Sequence, residues 1–89
     1  MPSEQDPATS AGPVTVRYWA AARAAAGTDQ DVVDGGTVAA TVAAVTALHP
    51  ALAPIAAVST LLLDGRAVTR DAVVTSGSVL EVLPPFAGG

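Results

Sequence analysis

The stretch Ser76-Gly77-Ser78-Val79-Leu80-Glu81-Val82-Leu83, SGSVLEVL, decides the fold. Ser76-Gly77 marks a turn, and the residues from Val79 to Leu83 then read as a strand, whose side chains alternate between two faces. A charged side chain belongs in water, so Glu81 assigns Val79, Glu81 and Leu83 to the outer face. Leu80 and Val82 therefore point into a core.

Working upstream, STLLLDGRAV (59–68) has two apolar runs around Asp64-Gly65, the signature of a tight β-hairpin. Before it, Thr37 is a helix N-cap, and Val38, Val42, Val45 and Leu48 recur behind it at helical spacing. Pro50 disfavours helical geometry at His49, which ends that helix as a cap and leaves a loop before the hairpin. DQDVV (29–33) reads as a short strand, and AAARAAAG (20–27) as one or two helical turns closed by Gly27. VTVRYW (14–19) alternates Val14, Val16 and Tyr18 on the core face with Thr15, Arg17 and Trp19 on the other. The order is strand, short helix, strand, main helix, hairpin, strand. One helix stripe against one sheet face makes a two-layer α+β domain.

Composition narrows the function. Four arginines and no lysine stand against eight acidic residues, a net charge of −4. This balance excludes a phosphate-backbone footprint, so neither nucleic acid nor an anionic membrane surface is an expected partner. With no cysteine and a single histidine, the chain has no disulfide framework, thiolate metal site or multi-histidine site. Such a domain is expected in the cytoplasm, docked on larger partners.

No Asp, Glu, Lys or Arg occurs between Asp34 and Asp64, but Pro50, Pro54 and several Thr and Ser interrupt the run. It reads as helix, loop and buried strand rather than a membrane span. Residues 1–13, MPSEQDPATSAGP, have three prolines and no periodicity. They are expected to be a disordered leader, and their lack of a cationic start and apolar core gives no signal peptide. Residues 14–83 form the domain, and residues 84–89 are expected to be an extended C-terminal tail.

That tail, Pro84-Pro85-Phe86-Ala87-Gly88-Gly89, carries the chemistry. Two prolines cannot extend a sheet, and they stiffen the chain as it leaves the domain. Two residues without Cβ fit a channel too narrow for any side chain. The group so delivered is the Gly89 α-carboxylate. It becomes electrophilic as an acyl-adenylate, and a sulfur nucleophile that displaces AMP leaves a thiocarboxylate.

VTVRYWAAARAAAG, LLLDGRAV and above all SGSVLEVLPPFAGG give the chain from Val14 to Gly89 a resemblance to a known family. It resembles the small, sulfur-carrying subunits of molybdopterin synthase, ubiquitin-like β-grasp proteins. The resemblance implies a mixed sheet of four to five strands on one main helix. It implies that Gly89 carries the activated carboxyl and that Gly88 threads the channel beside it. Trp19, Leu83, Pro84, Pro85, Phe86 and Ala87 would then meet the partners. Those are a large pterin-binding subunit, paired as two small with two large, an activating enzyme that uses ATP and Mg, and a sulfur donor protein. The chain itself would bind no cofactor and would not be an enzyme alone. Ser78 stands where the family often has Asp in the turn. Sulfur carriers of the thiamine pathway share the fold and the Gly-Gly but usually lack the double proline. A ubiquitin-like modifier and a plain interaction module are the remaining alternatives.

Other candidates are weaker. Asp64 and Asp71 are spaced as turn formers rather than as paired catalytic carboxylates. Arg17 and Arg66 are candidate anion ligands, though Arg17 is expected to face Glu81 across neighbouring strands instead. Trp19, a large aromatic on a polar face, reads as an interface residue.

Overall fold

The computed structural model describes residues 12–86. Strand β1 is Pro13–Tyr18, α1 is Ala20–Ala26, β2 is Gln30–Asp34 and β3 is Gly36–Thr37. Helix α2 spans Val38–Leu48, followed by a 3-10 turn at Pro50–Leu52 and a short α3 at Ala53–Ala57. Strands β4 (Thr60–Leu63), β5 (Arg66–Ala67), β6 (Val73–Val74) and β7 (Val79–Leu83) complete the chain.

The main sheet has the order β2-β1-β7-β4-β5, and β3 pairs with β6 in a small separate ladder. β7 is central, parallel to β1 and antiparallel to β4. Val16 lies opposite Leu80 and Arg17 opposite Glu81. The helices cover one face of this mixed five-stranded sheet, which is the β-grasp arrangement the sequence resembles. Val14, Val16 and Tyr18 from β1, and Leu80 and Val82 from β7, are buried against that layer. From the helical side come Ala22, Val38, Val42, Val45, Leu52 and Ala56. The alternation therefore assigns both central strands to the correct faces.

The hairpin turn also forms as expected. Asp64 and Gly65 have φ of 49° and 87°, the paired positive values of a primed turn that follows the twist of its strands. Asp64 does more than turn the chain. Its Oδ1 accepts a 2.9 Å hydrogen bond from the backbone N–H of Val79, fastening the hairpin to the start of β7. Ser78 keeps a place in the turn before that strand: its N–H donates to Thr75 O at 3.1 Å and its carbonyl accepts from Thr15 N.

Four expectations need correcting. Strand β1 begins at Pro13, one residue before the expected boundary, and Gly12 O and Pro13 O accept from Gly35 N and Gly77 N. Leu48 does not belong to the core; it is 56% exposed, while Thr41 is fully buried. Leu48 sits about 80° round the helix from Val38, at the rim of the stripe in the last turn. Thr41 tolerates burial because its hydroxyl donates to Thr37 O at 2.9 Å. The expected loop after His49 is instead two short helical turns. Pro50 and Pro54 sit in their first turns, where a missing N–H costs nothing, so both prolines start helical structure rather than break it. Finally, Pro84 is buried and Pro85-Phe86 form a turn, so the chain does not run straight out from Leu83.

Candidate functional site

The base of the tail is built on the most constrained strand of the sheet. β7 is paired on both sides, with Thr60 opposite Leu83 and Leu61 opposite Val82. Beyond Leu83, burial of Pro84 anchors the chain before it turns. Phe86 then has φ of 66° and is 94% exposed. An aromatic side chain standing free in the left-handed region is uncommon, and covering it with apolar surface would contribute about 2 kcal/mol. Ala87, expected to meet the partner, and Gly88 and Gly89, expected to carry the chemistry, lie outside the described residues.

Beside this base stands Trp19, 38% exposed on the outer face. It lies just past β1 rather than within it, as the N-cap of α1, with extended backbone. Its N–H donates to Val82 O at 3.2 Å, and its carbonyl accepts from Ala22 N at 2.9 Å and Arg23 N at 3.4 Å. The next residue, Ala20, has φ of 48°, a left-handed conformation that costs an alanine about 1 kcal/mol. That strained step swings the chain from strand to helix while leaving the indole on the sheet's open face. There the indole N–H donates to Glu81 Oε2 at 3.0 Å. The Arg17 guanidinium lies 5.5 Å from the ring centroid, a cation–π contact. Glu81 is half-buried there, as are Val79 and Leu83 on the same face of β7.

So the structure brings Trp19, Leu83 and Pro84 to one end of the sheet and extends it through Pro85 to the projecting Phe86. Arg17 and Glu81 are in register as expected, yet they do not form an ion pair. Both turn to Trp19 instead.

On the opposite face, sequence reasoning missed a second polar cluster. Tyr18 OH donates to Asp31 Oδ2 at 2.7 Å, and His49 Nε2 lies 2.6 Å from the same oxygen. The Tyr18 and His49 rings meet edge to face with centroids 6.0 Å apart. Burial pushes the Asp31 carboxyl upward, but the Tyr18 hydrogen bond and the His49 hydrogen bond and charge outweigh it and hold it below the usual range. Burial, the Asp31 hydrogen bond and the Asp31 charge together raise the Tyr18 hydroxyl well above its ordinary value. The signal available in the sequence was Tyr18 itself: a tyrosine on the core face needs a partner for its hydroxyl. The cluster contains no nucleophile set against a reaction centre, and it ties edge strand β2 to the end of α2. His49 is thus a backbone cap, through its N–H to Val45 O, whose ring serves the sheet.

Among the described residues no group of three or more His, Cys, Asp or Glu could hold a metal ion, and no helix is long and apolar enough to cross a membrane.

Known proteins give this geometry a context. The structure of SAMP1 from Haloferax volcanii is similar at 25% identity and TM-score 0.78, covering 88% of this chain and 100% of that one. A putative molybdopterin converting factor, subunit 1, from Pyrococcus furiosus is similar at 25% identity and TM-score 0.74, covering 82% and 97%. A complex of subunits 1 and 2 of molybdopterin-converting factor from Helicobacter pylori includes a chain alike in fold, at 18% identity and TM-score 0.67, covering 88% and 100%. Among curated proteins none matches the sequence. The sequence model of the ThiS family matches residues 16–89, from the middle of β1 through both terminal glycines. The chain belongs to the ThiS family.

Proposed function

We propose that this chain is a sulfur carrier for synthesis of the molybdenum cofactor, with the Gly89 carboxylate as its working group. A partner enzyme using ATP and Mg would adenylate that carboxylate, and a sulfur donor protein would convert it to a thiocarboxylate. The loaded tail would then enter a large pterin-binding subunit and give its sulfur to a pterin precursor. The observation that carries the reading is the sequence Leu83-Pro84-Pro85-Phe86-Ala87-Gly88-Gly89 on the central strand of a ThiS-family domain. Likeness at 25% identity to a protein named as a putative molybdopterin converting factor, subunit 1, supports a pterin precursor as the sulfur acceptor. In this reading the folded body supplies recognition and the tail supplies reach, so catalysis belongs to the partner.

The direct test is reconstitution. Thiocarboxylated chain, large subunit and pterin precursor should yield the dithiolene-containing pterin, whereas a thiazole synthase given the same carrier should yield no thiazole. The opposite pattern would move the chain to the thiamine pathway.

A second reading has its own support. SAMP1 from Methanosarcina acetivorans, described as a small archaeal modifier protein, is similar in fold with TM-score 0.79 at 22% identity, and the Haloferax protein reaches 25%. A modifier would join its Gly89 carboxyl to lysines of other proteins. Gel-shifted conjugates that depend on Gly89 would favour that reading, and their absence from cells rich in loaded carrier would count against it.

A further inference from the structure

Trp19 is the only tryptophan in the chain, and it is held through its backbone, one ring edge and one ring face while remaining open to solvent. Its backbone is fixed by the bonds to Val82, Ala22 and Arg23, and its indole by Glu81 on one edge and Arg17 over one face. Neighbouring strands that place Arg17 opposite Glu81 offer a direct ion pair on the outer face of the sheet. The two side chains forgo that pair. Among the described residues the Arg–carboxylate pair is Arg23–Asp29, and Glu81 spends its Oε2 on the indole instead.

Such an arrangement needs a reason, because a half-exposed Trp on a sheet surface does not require clamping for the fold. Its neighbours on the core face, Val16, Tyr18, Leu80 and Val82, already bury the sheet. What clamping achieves is a single indole orientation before anything docks, which lowers the ordering cost of association. We infer that Glu81, assisted by Arg17, is a positioning residue for partner recognition: it presets the Trp19 ring as a rigid platform at the base of the tail. This rests on the proposed function and on the expectation from the family resemblance that Trp19 meets the large subunit.

The test uses the full chain and the large subunit. Glu81→Ala should weaken binding about tenfold by calorimetry, the expected scale for losing a hydrogen bond to a charged group. Glu81→Gln, whose amide oxygen still accepts from the indole, should restore most of that loss. In free protein, the tryptophan anisotropy should fall in Glu81→Ala and recover in Glu81→Gln, while the far-ultraviolet circular dichroism stays unchanged. In a Trp19→Ala background, Glu81→Ala should add no further loss. An equal loss in both backgrounds would mean that Glu81 contacts the partner itself, and the positioning role would be overturned. That role is overturned too if Trp19→Ala weakens binding and Glu81→Ala does not. If Trp19→Ala binds normally, the docking role of Trp19 falls first and this inference with it.

Discussion

Nε2 of His49 lies 2.6 Å from Oδ2 of Asp31, joining the end of α2 to the edge strand β2. Asp31 also takes the Tyr18 hydroxyl, so one carboxylate holds helix, edge strand and central sheet together. Because its folded-state pKa is depressed, the ionised carboxylate stabilises the fold at pH above its unfolded value, and that contribution is lost as pH falls through the folded value. Asp31→Asn is expected to cost about 2 kcal/mol at neutral pH. The gap in thermal midpoint between the two proteins should begin to close as the pH drops below about 4, the unfolded value, and vanish only below the lower value of the folded carboxyl. A gap that stays constant down to that pH would remove the carboxylate charge from the explanation.

The two faces of β1 and β7 should respond very differently to mutation. Val82 is fully buried, and Val82→Asp places an unpaired charge in the core at a cost of about 4 kcal/mol or more, enough to unfold a domain this small. Arg17 is exposed and contributes a cation–π contact, so Arg17→Ala should cost under about 1 kcal/mol. Denaturant titrations that gave equal losses would reverse the assignment of faces.

In the hairpin, Gly65 has φ of 87° and open space around a built Cβ. Gly65→Ala therefore carries a conformational penalty without a clash, about 1 kcal/mol. The larger loss expected of a steric conflict would show in the same melting experiment and would contradict the turn geometry.

Phe86 contributes nothing visible to the folded body, with 94% of its surface free. Phe86→Ala should leave stability within about 0.5 kcal/mol of wild type yet weaken docking to the large subunit about tenfold or more. Normal docking by this variant would take the exposed ring out of the interface.

Much of this was legible in the sequence, and the failures have physical causes. Glu81 alone was enough to orient β7, and Thr37 caps α2 as its position suggested, accepting from Ala40 N at 3.0 Å. Asp64-Gly65 announced the hairpin because few residue pairs tolerate two positive φ values in succession. Pro50 and Pro54 misled because proline ends one helix and begins the next with the same chemistry. The Asp31–His49 tie was invisible because it joins residues 18 positions apart across the sheet edge, and no local pattern encodes it. The Trp19 clamp lay half in view: register paired Arg17 with Glu81, but only the three-dimensional arrangement turns both toward the indole.

The measurement closest to the central claim is the intact mass of the chain after incubation with its activating enzyme, ATP and a sulfur donor. Wild type should gain the difference between one sulfur and one oxygen at the Gly89 carboxyl. It should lose that gain when the large subunit and pterin precursor are added. A variant lacking Gly89, or carrying one residue beyond it, should keep its fold and its mass. A lengthened chain that still gained and delivered sulfur would contradict the assignment of Gly89 as the sulfur-bearing residue.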